Sequence, residues 1–230
     1  MSLIVVLVLI AGGFALFILS ANGDDQQEVR DEDFKQVNFS SAMTEGSEDA
    51  KAQLIQYSDF LCPSCTVVST QIMPSIEEKY ILTGKVAFEF RPMAFVARTA
   101  ATNDGSMMAS QGAYCAVDQD KFWEYHDAVY GYTYDKIIGS GVNPQYVATS
   151  TEVLTTDTLK SLASDAGLEA AAFETCLDDE VHKADATNSN QAANNNGITS
   201  APTVLLNGID VSNSATNLAA LEALIEAQLK

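Results

Sequence analysis

Cysteines, histidines and basic residues are scarce in this chain of 230 residues. It has four cysteines, two histidines, and 12 Lys and Arg against 31 Asp and Glu, which gives a net charge of -19. Nucleic acid and anionic lipid surfaces attract Lys and Arg, so this charge argues against nucleic acid as a partner and favours a well-solvated acidic surface. The length is enough for one main domain with a sizeable core, and no internal repeat is visible.

Charged residues are absent from positions 2–20, SLIVVLVLIAGGFALFILS. About twenty helical residues, each rising about 1.5 Å, would cross a hydrocarbon layer of about 30 Å, so we predict a transmembrane anchor over residues 1–22. A cleaved signal segment is the alternative, and it is disfavoured because no Lys or Arg precedes the long apolar run. Either segment directs the rest of the chain across the membrane. The expected location is the cell membrane, single-pass, with the folded part extracytoplasmic.

The remaining chain divides into an acidic linker, residues 23–46, and a folded domain, residues 47–230. The linker is polar, with a short strand expected near residues 34–39. The domain begins with a buried strand (AQLIQY, 52–57), a helix and a second strand (KVAFEFRP, 85–92). A helical block over about 99–195 follows, then a hairpin around the Asn-Gly pair at 207–208 and an amphipathic C-terminal helix. This order predicts an α/β fold with a helical insertion.

The two cysteines of SDFLCPSC, at positions 58–65, carry the chemistry of the sequence. Proline is tolerated in the first turn of a helix, so the helix after the first strand is expected to begin at Cys62 and Pro63. Backbone N–H groups and the positive end of the helix dipole would then stabilise the thiolate of Cys62. Cys65 lies one turn later and can close a disulfide with it. That ring is too small to add much stability by chain entropy, so a purely structural bond is the weaker interpretation.

A metal site is another interpretation of the cysteines. The chain has no second C-x-x-C, and His126 and His182 belong to no metal-binding spacing. Cys115 and Cys176 are the residues left to complete a four-cysteine zinc site with the first pair. A C-x-x-C directly after a strand of an α/β fold is instead typical of a redox-active dithiol. We therefore predict no metal.

The segments YSDFLCPSC, KFWEYHD and GITSAPTVLLNG, in this order, resemble the DsbA-like thiol-disulfide oxidoreductases of the thioredoxin superfamily. Those proteins have a thioredoxin-like fold with an inserted helical domain, and the resemblance runs from about residue 48 to the C-terminus. It implies that Cys62 forms a mixed disulfide with a client protein and that Cys65 is its buried partner. It also implies that a cis peptide bond precedes Pro202, facing the disulfide, and that the Ala201 backbone binds an extended client segment.

Two departures from the family pattern concern the neighbours of the dithiol. Many members have an acidic residue six positions before the first cysteine, which assists proton transfer to the buried one, whereas this chain has Gln56. A water or Asp59 would have to replace it. The dipeptide between the cysteines is Pro63-Ser64, without the histidine of the strongest oxidants, so Ser64 offers a hydrogen bond but no positive charge. The direction of electron flow therefore stays open.

Cys115 and Cys176 lie on separate predicted helices of the insertion. We predict that they form a second, structural disulfide, which closes a loop of about sixty residues. Two inert buried thiols are the alternative. Trp123, Tyr125 and His126 of the KFWEYHD segment are expected to pack rather than to react.

These patterns predict a membrane-tethered, extracytoplasmic oxidoreductase that introduces disulfides into exported proteins through its CPSC dithiol. It needs no organic cofactor, because the Cys62–Cys65 disulfide itself carries the electrons. Its expected partners are exported proteins with cysteines and, by analogy with the family, a quinone-linked membrane reoxidant. A reductase or isomerase is the alternative within the enzyme class. An anchored binding module with structural disulfides is the alternative outside it.

Overall fold

The computed structural model describes residues 34–96, 104–141, 143–144 and 153–230, all of which belong to one compact unit. The predicted anchor and the first part of the predicted linker lie outside the described residues. Among the residues that are described, no helix is both long enough and apolar enough to span a membrane.

A five-stranded sheet forms the centre of the domain. Its strands are β1 (Thr44–Glu45), β2 (Ala52–Ser58), β3 (Val86–Pro92), β4 (Thr203–Leu206) and β5 (Ile209–Asp210), in the spatial order β1-β3-β2-β4-β5. Strands β2 and β3 pair in parallel, which requires a crossover connection between them, and the other pairs are antiparallel. Asn207 and Gly208 have positive φ angles of 48° and 76°, as a tight two-residue turn requires, so the predicted hairpin is confirmed.

Helices fill the crossover, the insertion and the C-terminus. The crossover contains α1 (Pro63–Val67) and α2 (Met73–Ile76), each continued by a π-helical segment, Val68–Ile72 and Glu77–Ile81. The insertion between β3 and β4 contains α3 (Gly105–Val117), α4 (Phe122–Thr133), a π segment (Tyr134–Ile138), α5 (Thr156–Asp165), α6 (Ala170–Asp178) and α7 (Lys183–Asn195). A 3-10 turn (Ser212–Ser214) and α8 (Leu218–Gln228) follow the hairpin. The prediction of an α/β fold with a helical insertion is confirmed.

Pro74 lies in an irregular part of the crossover helix. Proline has no N–H to donate to the carbonyl one turn earlier, so the regular α-helical bonding is interrupted there. The hydrogen bonding changes from π to α at Met73 and back to π at Glu77. Ser69, Pro74 and Glu77 of these irregular turns line a cavity.

Residues 34–46 are part of the folded domain rather than of a linker. The short strand β1 pairs with β3, and Val37 is buried. Arg91 donates hydrogen bonds to the carbonyl oxygens of Phe34 and Gln36, at 3.0 and 2.8 Å. Residues 34–39 form no strand, and their backbone bends instead. This polar segment folds because Arg91 binds its carbonyls and because a sheet edge accepts a further strand.

Apolar side chains cover both faces of the sheet, since successive residues of a strand point to opposite sides. Leu54 and Phe88 belong to the larger core, which the crossover helix, α8 and most of the insertion share. Ile55 and Ala87 belong to a smaller core on the other face, against Val37 and residues of α7. The sheet is therefore buried on both sides, and the loop after β2 opens at its carboxyl edge.

Candidate active site

The dithiol lies at the start of α1, shortly after the carboxyl end of β2. Cys62 is the N-cap residue, with an extended backbone (φ -76°, ψ 122°), and its sulfur accepts a hydrogen bond from the backbone N–H of Cys65 at 3.4 Å. Pro63 occupies the first helical position, where a backbone N–H would have no partner within the helix, so the absence of one in proline costs no hydrogen bond. The predicted helix start is confirmed. The Cys62 sulfur therefore faces backbone N–H groups at the positive end of the helix.

Burial separates the two sulfurs, which are free thiols in this structure. Cys62 keeps 6% of its surface exposed and Cys65 keeps none. Burial raises the pKa of the Cys65 thiol well above its usual range, and the hydrogen bond and charge of Cys62 raise it further. The backbone N–H of Asp59, 3.5 Å from the Cys65 sulfur, acts in the opposite direction. Both cysteines are buried, but Cys62 is the more exposed of the two, and Cys65 is held as a neutral thiol.

The loop before β4 faces the outer sulfur. The Ala201–Pro202 peptide bond is cis, as predicted. The Cys62 thiol donates a hydrogen bond to the Ala201 carbonyl oxygen at 3.2 Å. The structure thus brings together the two segments that the sequence assigned to the site, although they are 139 positions apart.

Gln56 is buried below the dithiol and bridges two hydroxyl groups. Its Nε2 donates hydrogen bonds of 3.0 Å to Ser58 Oγ and to Ser69 Oγ. Ser58 in turn hydrogen-bonds the Cys65 sulfur and lies 2.8 Å from the hydroxyl of Tyr130. A neutral amide is no proton acceptor at physiological pH, so Gln56 positions these hydroxyls instead of acting as a base.

Asp59 is fully buried, and its carboxylate binds loop groups on both sides of the site. It accepts hydrogen bonds from the backbone N–H of Leu61 at 2.8 Å and of Val96 at 2.7 Å, and from the hydroxyl of Ser106 at 2.9 Å. Burial raises the pKa of Asp59, and these hydrogen bonds offset part of the effect. The side chain therefore ties the segment before Cys62 to the chain after β3.

The residues next to the cysteines divide between surface and core. Ser64 is exposed and Phe60 is fully buried. The Phe60 ring packs against Tyr130, with centroids 4.9 Å apart. Tyr125 and His126 are also buried, and Trp123 is partly buried against the same core, so all three pack as expected. Side chains of the insertion thus form the wall behind the dithiol.

Ser58, Ser69 and Tyr130 are the site residues that sequence reasoning missed. Ser58 directly precedes Asp59, and its position at the end of β2 is the one signal that could have found it. Ser69 comes one turn after Cys65 along the crossover helix. Tyr130 has no signal in the sequence, because it reaches the site only through the docking of α4.

Cys115 and Cys176 form a disulfide that joins α3 to α6, as predicted. This bond excludes the four-cysteine zinc site, because a sulfur in a disulfide is no longer a thiolate ligand. In the part of the chain that the structure describes, Asp118 and His182 lie close to the Cys176 sulfur. Without that sulfur they are two ligands, whereas structural zinc takes four.

Comparison with known proteins agrees with this geometry. The family model described as thioredoxin matches residues 40–227, which is most of the chain. A relative from Bacillus anthracis, "Probable disulfide bond formation protein D", is 31% identical over 93 residues. That match covers 40% of this chain and 41% of the relative, so the chain spans about two fifths of the length of the curated relative it matches.

Solved structures show the same architecture. The oxidised form of BdbD from Bacillus subtilis has a TM-score of 0.68 and 22% identity, and the match covers 84% of this chain and 96% of that one. The reduced form of DsbG from Mycobacterium tuberculosis has a TM-score of 0.66 and 22% identity, covering 86% and 92%. At this identity the likeness concerns the fold. With the family match, it shows that the chain belongs to the thioredoxin superfamily and has the DsbA-like form of its fold, with an inserted helical domain.

Proposed function

We propose that this protein is a thiol-disulfide oxidoreductase that introduces disulfides into exported proteins. The observation that carries the proposal is the pairing of Cys62, which keeps a small exposed surface, with a fully buried Cys65, beside the Ala201–Pro202 loop. Disulfide exchange needs one sulfur that a client can attack and a second that is shielded from it. This pair supplies both.

The reaction proceeds in two exchanges. A client thiolate attacks the Cys62 sulfur of the oxidised protein, the Cys62–Cys65 bond breaks, and Cys65 leaves with the bonding electrons and is protonated. A second client thiolate then attacks the client sulfur of the mixed disulfide. The client gains a disulfide, and its two electrons stay on the protein as the Cys62 and Cys65 thiols.

The backbone at Ala201 is the proposed client-binding element. Its carbonyl faces Cys62 and lies just before β4, where the chain enters the sheet. An extended client segment can pair with this backbone as an added strand, and main-chain hydrogen bonds recognise shape rather than sequence. The site is therefore suited to many different clients.

The proposed place of the reaction is the extracytoplasmic side of the cell membrane. Its support is the uncharged run at residues 2–20, which is long enough for an anchor, and the Cys115–Cys176 disulfide, since such bonds persist in oxidising compartments. A cleaved signal segment would give the same compartment without the tether. By analogy with the family, a quinone-linked membrane protein would reoxidise the dithiol, and the dithiol itself replaces any organic cofactor.

Transfer of a disulfide to a reduced, unfolded test protein examines the proposal. The oxidised protein should transfer one disulfide per dithiol, and Cys62→Ser should transfer none. Cys65→Ser cannot hold the disulfide, so it is mixed with a disulfide-bonded test protein instead, where the Cys62 thiolate should attack that bond and accumulate a mixed disulfide. A protein that gives neither transfer nor mixed disulfide would be a binding module with a structural bond.

Equilibration with glutathione buffers gives the direction of electron flow. Gln56 and Ser64 bring no charge to the dithiol, so its reduction potential decides between donor and acceptor. A potential more oxidising than that of glutathione supports a disulfide donor. A potential as reducing as that of thioredoxin supports a reductase and contradicts the donor.

A further inference from the structure

A cavity of about 410 Å³ lies between β1, the crossover helix and α4. Ser69 and Tyr130 are part of its lining. Tyr130 contacts the Ser58 hydroxyl directly, and Ser69 is linked to Ser58 through the Gln56 amide. Three carboxylates also line it, those of Glu45, Glu77 and Asp127. The cavity therefore has acidic residues in its wall and also borders the polar residues below the dithiol.

A hydrogen-bonded path connects the Cys65 sulfur with the cavity wall. Ser58 bonds the sulfur and lies 2.8 Å from the Tyr130 hydroxyl, and the Gln56 amide bridges Ser58 to Ser69. Gln56 Oε1 is buried without a partner among the described residues, and an acceptor of this kind is one that buried water satisfies. A proton can therefore pass along this path in short steps from one hydroxyl to the next.

Glu45 differs from the other acids of the cavity. Burial, and then the negative charges of Glu77 and Asp127, raise the pKa of Glu45 to about 7. Asp127 has a partner in His126, whose Nδ1 lies 2.9 Å from its carboxylate. A carboxyl group with a pKa near the working pH both takes and returns a proton readily.

We propose that this cavity is the proton route of the buried cysteine, with Ser58 exchanging the proton with Cys65 and Glu45 exchanging it at the cavity end. The inference rests on the proposed function, because only a dithiol that is oxidised and reduced has to move this proton. The route supplies the acidic group that the position of Gln56 lacks.

The other ionisable groups that face Cys65 do not serve this purpose. Cys62 is the reacting partner itself. The oxygens of Asp59 are engaged with four donors, the backbone N–H groups of Leu61, Val96 and Phe95 and the hydroxyl of Ser106. Burial raises the pKa of Tyr130 well above its usual range, so its hydroxyl passes a proton on but does not keep the charge.

The proton transfer balances in both directions of exchange. When the Cys62–Cys65 bond breaks, Cys65 takes the electron pair and the hydroxyl proton of Ser58, which regains one from the cavity, and Glu45 becomes a carboxylate. When Cys65 attacks a disulfide at Cys62, its proton passes to Ser58 and on to Glu45. The new bond then forms between Cys65 and Cys62, and the leaving thiolate carries the electron pair away.

Reaction of the reduced protein with glutathione disulfide isolates this step. Cys62 first forms a glutathione adduct, and Cys65 then expels glutathione, so the decay of the adduct in acid-quenched samples, followed by mass spectrometry, reports the deprotonation of Cys65. We expect Glu45→Gln to slow this decay about tenfold or more at pH 8 and to remove its pH step near 7. Glu45→Asp keeps a carboxyl group and should keep the step.

Glu78→Gln is the matched control, because it makes the same charge change at an exposed glutamate of the crossover helix. The glutathione adduct of this variant should decay at the same rate as that of the unmodified protein. The rate of adduct formation should be the same in all variants, because that step involves Cys62 alone. The inference is overturned if Glu45→Gln keeps the original rate and profile, or if it slows adduct formation equally, as a distorted site would. If the unmodified protein forms no adduct, the proposed function fails and the proton route fails with it.

Discussion

The Cys62 thiol donates a hydrogen bond to the carbonyl oxygen of Ala201 at 3.2 Å, across 139 positions of the chain. The contact joins the strand-to-helix junction that carries the cysteines to the loop that enters β4. It holds the Cys62 sulfur against the backbone of Ala201, while Cys65 is fully buried. In the proposed function, this contact places the sulfur that reacts with a client beside the main chain that binds the client.

Cys65 should make the reduced protein less stable at alkaline pH. Its pKa is raised in the folded state, so its contribution is fully present below the unfolded pKa of about 8.5 and is lost as the pH rises further. We expect the free energy of unfolding to fall by up to about 1.4 kcal/mol per pH unit above that point. Urea unfolding under reducing conditions measures this, and Cys65→Ala should remove the decline. An equal decline in the variant would contradict the assignment.

Glu45→Gln should stabilise the protein at pH 8 and leave it unchanged at pH 4. The folded pKa of Glu45, about 7, is raised from 4.5, so ionisation disfavours the folded state increasingly between these values and fully above 7. We expect a gain of about 1 kcal/mol at pH 8, because solvent screens a partly exposed carboxylate. Urea unfolding at both pH values measures it, with Glu78→Gln as the control. Equal gains at pH 4 and pH 8 would disprove this account.

Removal of the Cys115–Cys176 disulfide should destabilise the domain. The bond spans 61 residues, and in the chain-entropy model such a loop contributes about 4 kcal/mol. The double substitution Cys115→Ala and Cys176→Ala should lower the free energy of unfolding by about this amount, measured by urea titration of the oxidised proteins. A loss well below about 2 kcal/mol would show that the unfolded chain is already restricted without the bond.

Asp59→Ala should lower the free energy of unfolding by about 3 kcal/mol or more, because it removes the acceptor of three backbone N–H groups, those of Leu61, Val96 and Phe95, and of one hydroxyl. Asp59→Asn keeps one acceptor oxygen and should lower the free energy of unfolding by less. Ser106→Ala removes one of the four donors and should lower the free energy of unfolding by about 1 kcal/mol. Thermal and urea unfolding of the three variants measure the order. A different order would show that the carboxylate does not hold these loops together.

Several features follow from residues that are close together in the chain. The apolar run of β2, the proline at the first position of α1 and the Asn-Gly turn before β5 are each decided by neighbouring residues, so the sequence predicted them. The cis bond at Pro202 came with the family resemblance, which carries long-range information that spacing alone does not. The Cys115–Cys176 disulfide was predicted from the two remaining cysteines on separate helices of the insertion, and the structure has it.

The tertiary structure decided what surrounds the dithiol. The sequence shows that Gln56 replaces an acidic residue, but it does not show that Gln56 bridges Ser58 and Ser69 or that Tyr130 reaches them from the insertion. It also placed residues 34–46 in a linker, whereas Arg91 and the edge of β3 bind them. Such contacts depend on how helices and sheet dock. Docking is determined by the shapes and charges of many side chains at once, and no local pattern encodes that sum.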